Sequence, residues 1–164
     1  MLTKLLSRKT CAACRSCCHF DSYDVWSTPV LNAETRPLAQ ALLPDVQYLK
    51  KAENAWVFRV DHFDEEDGFN CPLLDPAKGC MLGTDKPFSC RIWPIQIMDI
   101  DGRQVITLSP LCKEVLRLPV ETILGFVREE LAEIIFAYVD THPAEVLPYD
   151  GVSVILLWKN GNND

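Results

Sequence analysis

The densest chemistry in the chain is Cys11-Ala12-Ala13-Cys14-Arg15-Ser16-Cys17-Cys18, four thiols within eight residues. A two-residue gap lets a tight turn aim both sulfurs at one point, as a tetrahedral zinc ion or a cubane iron-sulfur cluster requires of its ligands. Cys17 and Cys18 are neighbours, and consecutive side chains tend to point apart. The two can share one small site only if the backbone turns there in an unusual way; otherwise one serves a second metal or packs in the core.

Four more cysteines follow: Cys71 before Pro72, Cys80 after Gly79, Cys90 three residues beyond Pro87, and Cys112 two beyond Pro110. Pro and Gly nearby suit loops that bend around an ion. An isolated thiol is commonly a small buried apolar residue, but eight cysteines in 164 residues, half of them in one run, argue for metal binding over packing. Thiol redox chemistry without metal is the other reading of such a run. Cys112 stands apart, at the start of a candidate helix, where ligand and core roles suit it equally.

Other chemistry is thinly represented. The histidines are His19, His62 and His142, scattered and without the paired helical spacing of a catalytic zinc site, and only His19, directly after the cysteine run, is placed to act as a ligand. The chain contains no Gly-rich phosphate or dinucleotide loop and no nucleophile elbow. Radical enzymes that use S-adenosylmethionine need a three-residue first gap, which is absent. The ferredoxin run places its fourth cysteine three residues on, whereas Cys18 follows Cys17 immediately. The acidic run Asp61-His62-Phe63-Asp64-Glu65-Glu66-Asp67 reads as a solvated loop. Arg15 and Arg91, beside motif cysteines, either offset thiolate charge or form surface ion pairs.

The cysteine pattern resembles the CxxCxxCC family, the YkgJ-like cysteine-cluster proteins described as zinc- or iron-chelating domains. Its successive motifs match Cys11 to Cys18, Cys71-Pro72-Leu73-Leu74, Gly79-Cys80 and Lys86-Pro87-Phe88-Ser89-Cys90-Arg91-Ile92-Trp93-Pro94, in order over residues 11 to 94. Lys86 stands where the family usually has Arg, and Gly83 where Tyr is common. The resemblance implies a metal centre in a cytoplasmic protein. It extends to flagellin lysine N-methylases, which share the cysteine motif within a larger chain. The expected ligands are Cys11, Cys14, Cys17, Cys18, Cys71, Cys80 and Cys90, and the expected cofactor is zinc or iron, including a four-iron four-sulfur cluster. The expected function is metal binding; an iron-sulfur protein that transfers electrons or assists a modifying enzyme, with a protein partner, is the alternative.

Elements must bring these thiols together. A chain of 164 residues, 48% of them hydrophobic, can bury one core, so a single domain over 1–164 is expected. The net charge of −7 opposes a nucleic-acid partner. The N-terminal residues are too polar for a secretory signal, and the apolar run Val152–Trp158 is far short of the ~20 residues that span a bilayer, so a cytoplasmic protein without a membrane segment is expected. Residues 34–51 carry apolar positions spaced for one or two short helices interrupted by Pro37 and Pro44. Ala55–Phe63 alternates as a half-buried strand, with Trp56, Phe58 and Val60 on one side. Ile92–Ile100 and Arg103–Leu108 form a hairpin about Asp101-Gly102. Val120–Val139 reads as a long amphipathic helix with Ile123, Leu124, Val127, Leu131, Ile134, Ile135 and Tyr138 on its apolar face. Val152–Trp158 reads as a last buried strand. The expected fold is α+β: a small antiparallel sheet, helices, and a cysteine-rich metal-binding loop region.

Overall fold

The structure is a computed structural model, and it describes residues 1–20, 28–60 and 68–160. The acidic run, and His62 within it, lies outside them. The fold is α+β, with helices and several small, mainly antiparallel sheets. The chain divides into two compact units, one of Lys9–Arg91 and one of Met1–Arg8 with Ile92–Asp164.

The unit of Lys9–Arg91 begins on α1 (Arg8–Cys14), which is followed by a 3-10 turn at Ser16–Cys18 and the short strand β1 (His19–Phe20). Next come β2 (Leu31–Asn32) and α2 (Thr35–Leu42). The Asn32 carboxamide oxygen accepts the backbone N–H of Glu34 and of Thr35 at 3.0 and 2.9 Å, satisfying donors that the first helical turn leaves open. Pro37 sits inside that turn, where its missing N–H costs nothing.

The expected helical region is only half helix. Residues Tyr48–Ala52 form strand β3, which pairs antiparallel with β4 (Ala55–Phe58) across Glu53-Asn54, with Asn54 at φ 57°. β4 also pairs with β2, giving the order β2-β4-β3. On β4 both Val57 and Phe58 are buried, while Trp56 is half-buried with the Arg36 guanidinium 4.6 Å from its ring centroid. The alternation in sequence placed Trp56 inside; a cation stacked on an amphipathic ring accounts for its place at the surface. The core of this unit is Leu31, Ala39, Phe58, Leu73 and Leu82, with Cys71 and Cys80 packed against it. The remaining elements are β5 (Phe69–Asn70), β6 (Leu74–Asp75), β7 (Gly79–Cys80) and α3 (Phe88–Ile92).

The other unit is built on the hairpin of β8 (Ile95–Ile100) and β9 (Arg103–Leu108). Its turn has Asp101 at φ 52° and Gly102 at φ 82°, both central residues left-handed, as the Asp-Gly pair predicts. The helical run α4 (Val120–Phe126), a π-helical turn (Val127–Leu131) and α5 (Ala132–Thr141) follows. The π turn slips the register, so the buried residues beyond Val127 are Leu131, Ala132, Ile135 and Val139, and Ile134 is left exposed, contrary to the straight helical pattern. β10 (Leu147–Pro148) and β11 (Val154–Trp158) complete a sheet in the order β10-β8-β9-β11. β11 is an edge strand with Val154 and Ile155 exposed and Leu156 buried, so the expected buried strand is a sheet edge. Among the described residues no helix is long and apolar enough to cross a membrane.

Candidate metal centre

Five of the seven expected ligands line one pocket within the Lys9–Arg91 unit: Cys17, Cys18, Cys71, Cys80 and Cys90. Among the described residues, Lys86 is the one charged side chain on its wall, and Pro29, Phe58, Leu73 and Pro87 supply the rest.

Each thiol arrives on its own local device. Helix α1 ends at Cys14 because Arg15 enters the left-handed region at φ 56°, with its N–H still donating to the Cys11 carbonyl at 3.2 Å. The chain then tightens into a 3-10 turn in which the Cys18 N–H donates to the Arg15 carbonyl at 2.9 Å. This is the unusual turn that neighbouring ligands require: the Cys17 and Cys18 sulfurs are 3.9 Å apart. Two sulfurs bound to one zinc at ~2.3 Å and tetrahedral angles stand about 3.8 Å apart.

Cys71 is tied to the same turn by its N–H, which donates to the Cys18 carbonyl at 2.7 Å. The tie extends the antiparallel pairing of β1 with β5, in which the Phe20 and Phe69 rings stack with centroids 5.0 Å apart. Cys80 lies on β7 opposite Leu74 of β6. The Asp75 carboxylate accepts the Ala77 and Lys78 N–H groups at 2.7 and 2.8 Å and closes that turn, and these bonds hold its carboxyl below the usual range. Gly79, at φ 84°, completes the bend. Cys90 lies in α3 just after Pro87, whose carbonyl accepts the Arg91 N–H at 3.1 Å.

The thiols feel one another. The Cys17 thiol is pushed up by its hydrogen bond with Cys18, by burial and by the charge of Cys18, and Lys86 opposes the shift. Burial pushes Cys71 up to about 11, with Cys80 and Cys17 adding to the rise. Cys90 is raised by burial first and then by Cys71, Cys17 and Cys80, again against Lys86. Cys17, Cys71 and Cys90, far apart in sequence, therefore each respond electrostatically to neighbouring thiols of the pocket. Among the described residues, however, no three His, Cys, Asp or Glu side chains are drawn close enough together to hold an ion as they stand. In number and softness the donors fit a thiophilic metal; protonated thiols have no reason to converge further, because an ion must first displace their protons.

Cys11 and Cys14, the first two expected ligands, are exposed on α1 and do not line the pocket. Cys112 is 6% exposed and belongs to the unit of Ile92–Asp164, with the burial of a small core residue. His19 is exposed with Nδ1 3.2 Å from the Asn70 carboxamide oxygen, and His142 stacks on Tyr138 with ring centroids 4.1 Å apart, so neither lines the pocket. Neither Arg15 nor Arg91 is the cation on the pocket wall. That role falls to Lys86, whose signal in the sequence was its place two residues before Phe88-Ser89-Cys90-Arg91 turns into helix. No protein-family model, curated protein or solved structure matches the chain.

Proposed function

We propose that this protein binds a thiolate-coordinated metal, zinc in the first instance, in the pocket of Cys17, Cys18, Cys71, Cys80 and Cys90, and that the metal fastens the loops of the Lys9–Arg91 unit. The observation that carries the reading is the gathering of five thiols from four separate places in the sequence on one pocket wall. Chance packing of apolar cysteines does not select for mutual proximity in this way. Zinc takes four thiolates in a closed structural site, and Lys86 offsets part of the net negative charge that such a site carries. The 3.9 Å between the Cys17 and Cys18 sulfurs suits two ligands of a single ion. A cubane, in which each iron takes its own thiolate, spreads its ligating sulfurs further apart.

None of the eight cysteines is in a disulfide, which suits a reducing compartment such as the cytoplasm, where zinc-thiolate sites are maintained. Anaerobic purification followed by elemental analysis and visible absorption tests the proposal. The expected result is close to stoichiometric zinc and a colourless protein. Iron with inorganic sulfide and a brown colour would replace zinc by a cluster at the same thiols, making the protein an iron-sulfur carrier or accessory. Absence of both metals, with all pocket thiols titrating freely in the folded protein, would end the reading.

A further inference from the structure

Cys11 and Cys14 are left outside the pocket, and we propose that they form a redox-active dithiol that closes a reversible disulfide by exchange with a small disulfide such as oxidised glutathione, while the pocket thiols remain reduced. The half of this statement that concerns the pocket rests on the metal-binding reading; the half that concerns the pair does not.

Three observations support the pair. Both thiols are exposed, whereas the five pocket cysteines are partly buried and Cys112 is buried. Attack on an external disulfide requires access, and access here separates the outer pair from the other six. The two residues sit three apart on α1, so their side chains share one face of the helix with Cβ atoms about 5–6 Å apart. A disulfide needs roughly 3.5–4.5 Å between Cβ atoms. The remaining contraction falls at the end of the helix: Cys14 is the last residue of α1, and Arg15 has already left helical geometry at φ 56°. The terminal turn can tighten without breaking a helix interior. In addition, Ser16 Oγ is 3.1 Å from Cys14 Sγ, within reach to donate a hydrogen bond to a thiolate formed there.

The chemistry balances with the named oxidant. One thiolate of the pair attacks a sulfur of glutathione disulfide, forming a mixed disulfide and releasing one glutathione thiolate. The second attacks the protein sulfur of that mixed disulfide and releases the other glutathione. Two protein thiols are oxidised by two electrons, one disulfide is reduced to two glutathione molecules, and the protons lost by the protein thiols are taken up by the departing thiolates.

The test uses the full chain, purified anaerobically with its metal content measured, then exposed to oxidised glutathione, alkylated and mapped by peptide mass spectrometry. The expected product is a Cys11–Cys14 disulfide, formed at least ~10-fold faster than any oxidation of Cys71, Cys80 or Cys90, reversed by dithiothreitol and accompanied by no loss of metal. Cys14→Ser should accumulate a glutathione adduct at Cys11 that the wild-type chain resolves. The proposal is overturned if Cys11 and Cys14 react only as fast as the pocket cysteines and only as metal is lost, which would make them ligands. It is equally overturned if each takes up glutathione separately and no internal disulfide forms. A sample that contains no metal but still closes the outer disulfide first would sink the metal reading and leave the dithiol standing.

Discussion

Cys90 and Cys112 are the same side chain in two different situations. Cys90 lines the pocket and is acted on by three other thiols, whereas Cys112 is buried within the unit of Ile92–Asp164 and is not a lining residue of the pocket. Replacing Cys90 by Ser substitutes a hard, weakly acidic hydroxyl for a soft thiolate, and bound zinc should fall several-fold on dialysis against a mild chelator. Cys112→Ser should leave zinc content unchanged and cost about 1 kcal/mol in denaturant unfolding, the cost of burying a hydroxyl where sulfur packed. Comparable metal loss in both variants would remove the distinction. The thiols also set a pH dependence. With Cys71 raised to about 11 and Cys90 raised as well, the metal-free folded state holds protons that the unfolded chain releases first. Stability of the metal-free protein should therefore be level below the ordinary thiol range and decline as pH climbs through it toward about 11. The zinc-loaded protein, already deprotonated at its ligands, should not show this decline in urea midpoints measured across the same range. At this scale the donor types were plain in the sequence. What could not be read was the grouping, because whether Cys14 or Cys18 faces a pocket depends on one left-handed residue, Arg15, which carries no Gly or Asn to announce it.

Among the elements, the β6–β7 turn shows how far a ligand depends on backbone geometry. Cys80 is delivered by a bend held by two hydrogen bonds to Asp75 and by Gly79 at φ 84°. A Cβ at Gly79 would meet nothing within 4 Å, so Gly79→Ala tests the backbone angle alone. It should lower stability by about 1–2 kcal/mol and weaken zinc retention, because an L-residue resists that angle and the turn carrying Cys80 would relax. Thermal melts with and without zinc check this, and a variant identical to wild type in both would show that the bend does not position the thiol. Elements were legible in proportion to how local their causes are. Asp101-Gly102 determines its hairpin almost alone, and the β8–β9 pairing follows. β3 was read as helix because Leu49 and its neighbours keep a helix-compatible spacing; its partner β4 decides otherwise, and pairing across Glu53-Asn54 is not a property of Tyr48–Ala52 themselves. The π turn at Val127–Leu131 was likewise invisible: Arg128-Glu129-Glu130 offers no Pro or Gly, and only the residues it buries reveal the shift.

On the scale of the molecule, the two units have different sources of cohesion, which leads to a prediction about what the metal holds together. In Lys9–Arg91 the strands are short, β1, β2, β5, β6 and β7 having two residues each, and the buried cluster comprises five residues with two pocket cysteines packed against it. Such pieces cannot support themselves by pairing, since an isolated two-stranded ribbon is marginal even at greater length. A metal that joins 17–18, 71, 80 and 90 would close loops that the small core leaves loosely held. The unit of Ile92–Asp164 instead contains the six-residue strands β8 and β9, fully buried Ile95, Val105 and Ile106, and the helical stretch that buries Ile123, Val127, Leu131 and Ile135. Nothing in that set calls for an ion. Chelation of the zinc under reducing conditions should therefore raise amide hydrogen exchange steeply across residues 71–90 while the amides of 95–108 keep their protection. Exchange followed by mass spectrometry, before and after chelator, distinguishes the outcomes. If residues 95–108 lose protection together with 71–90, the two units unfold as one and the metal stabilises the whole chain; if neither segment changes, the thiol pocket contributes nothing to folding.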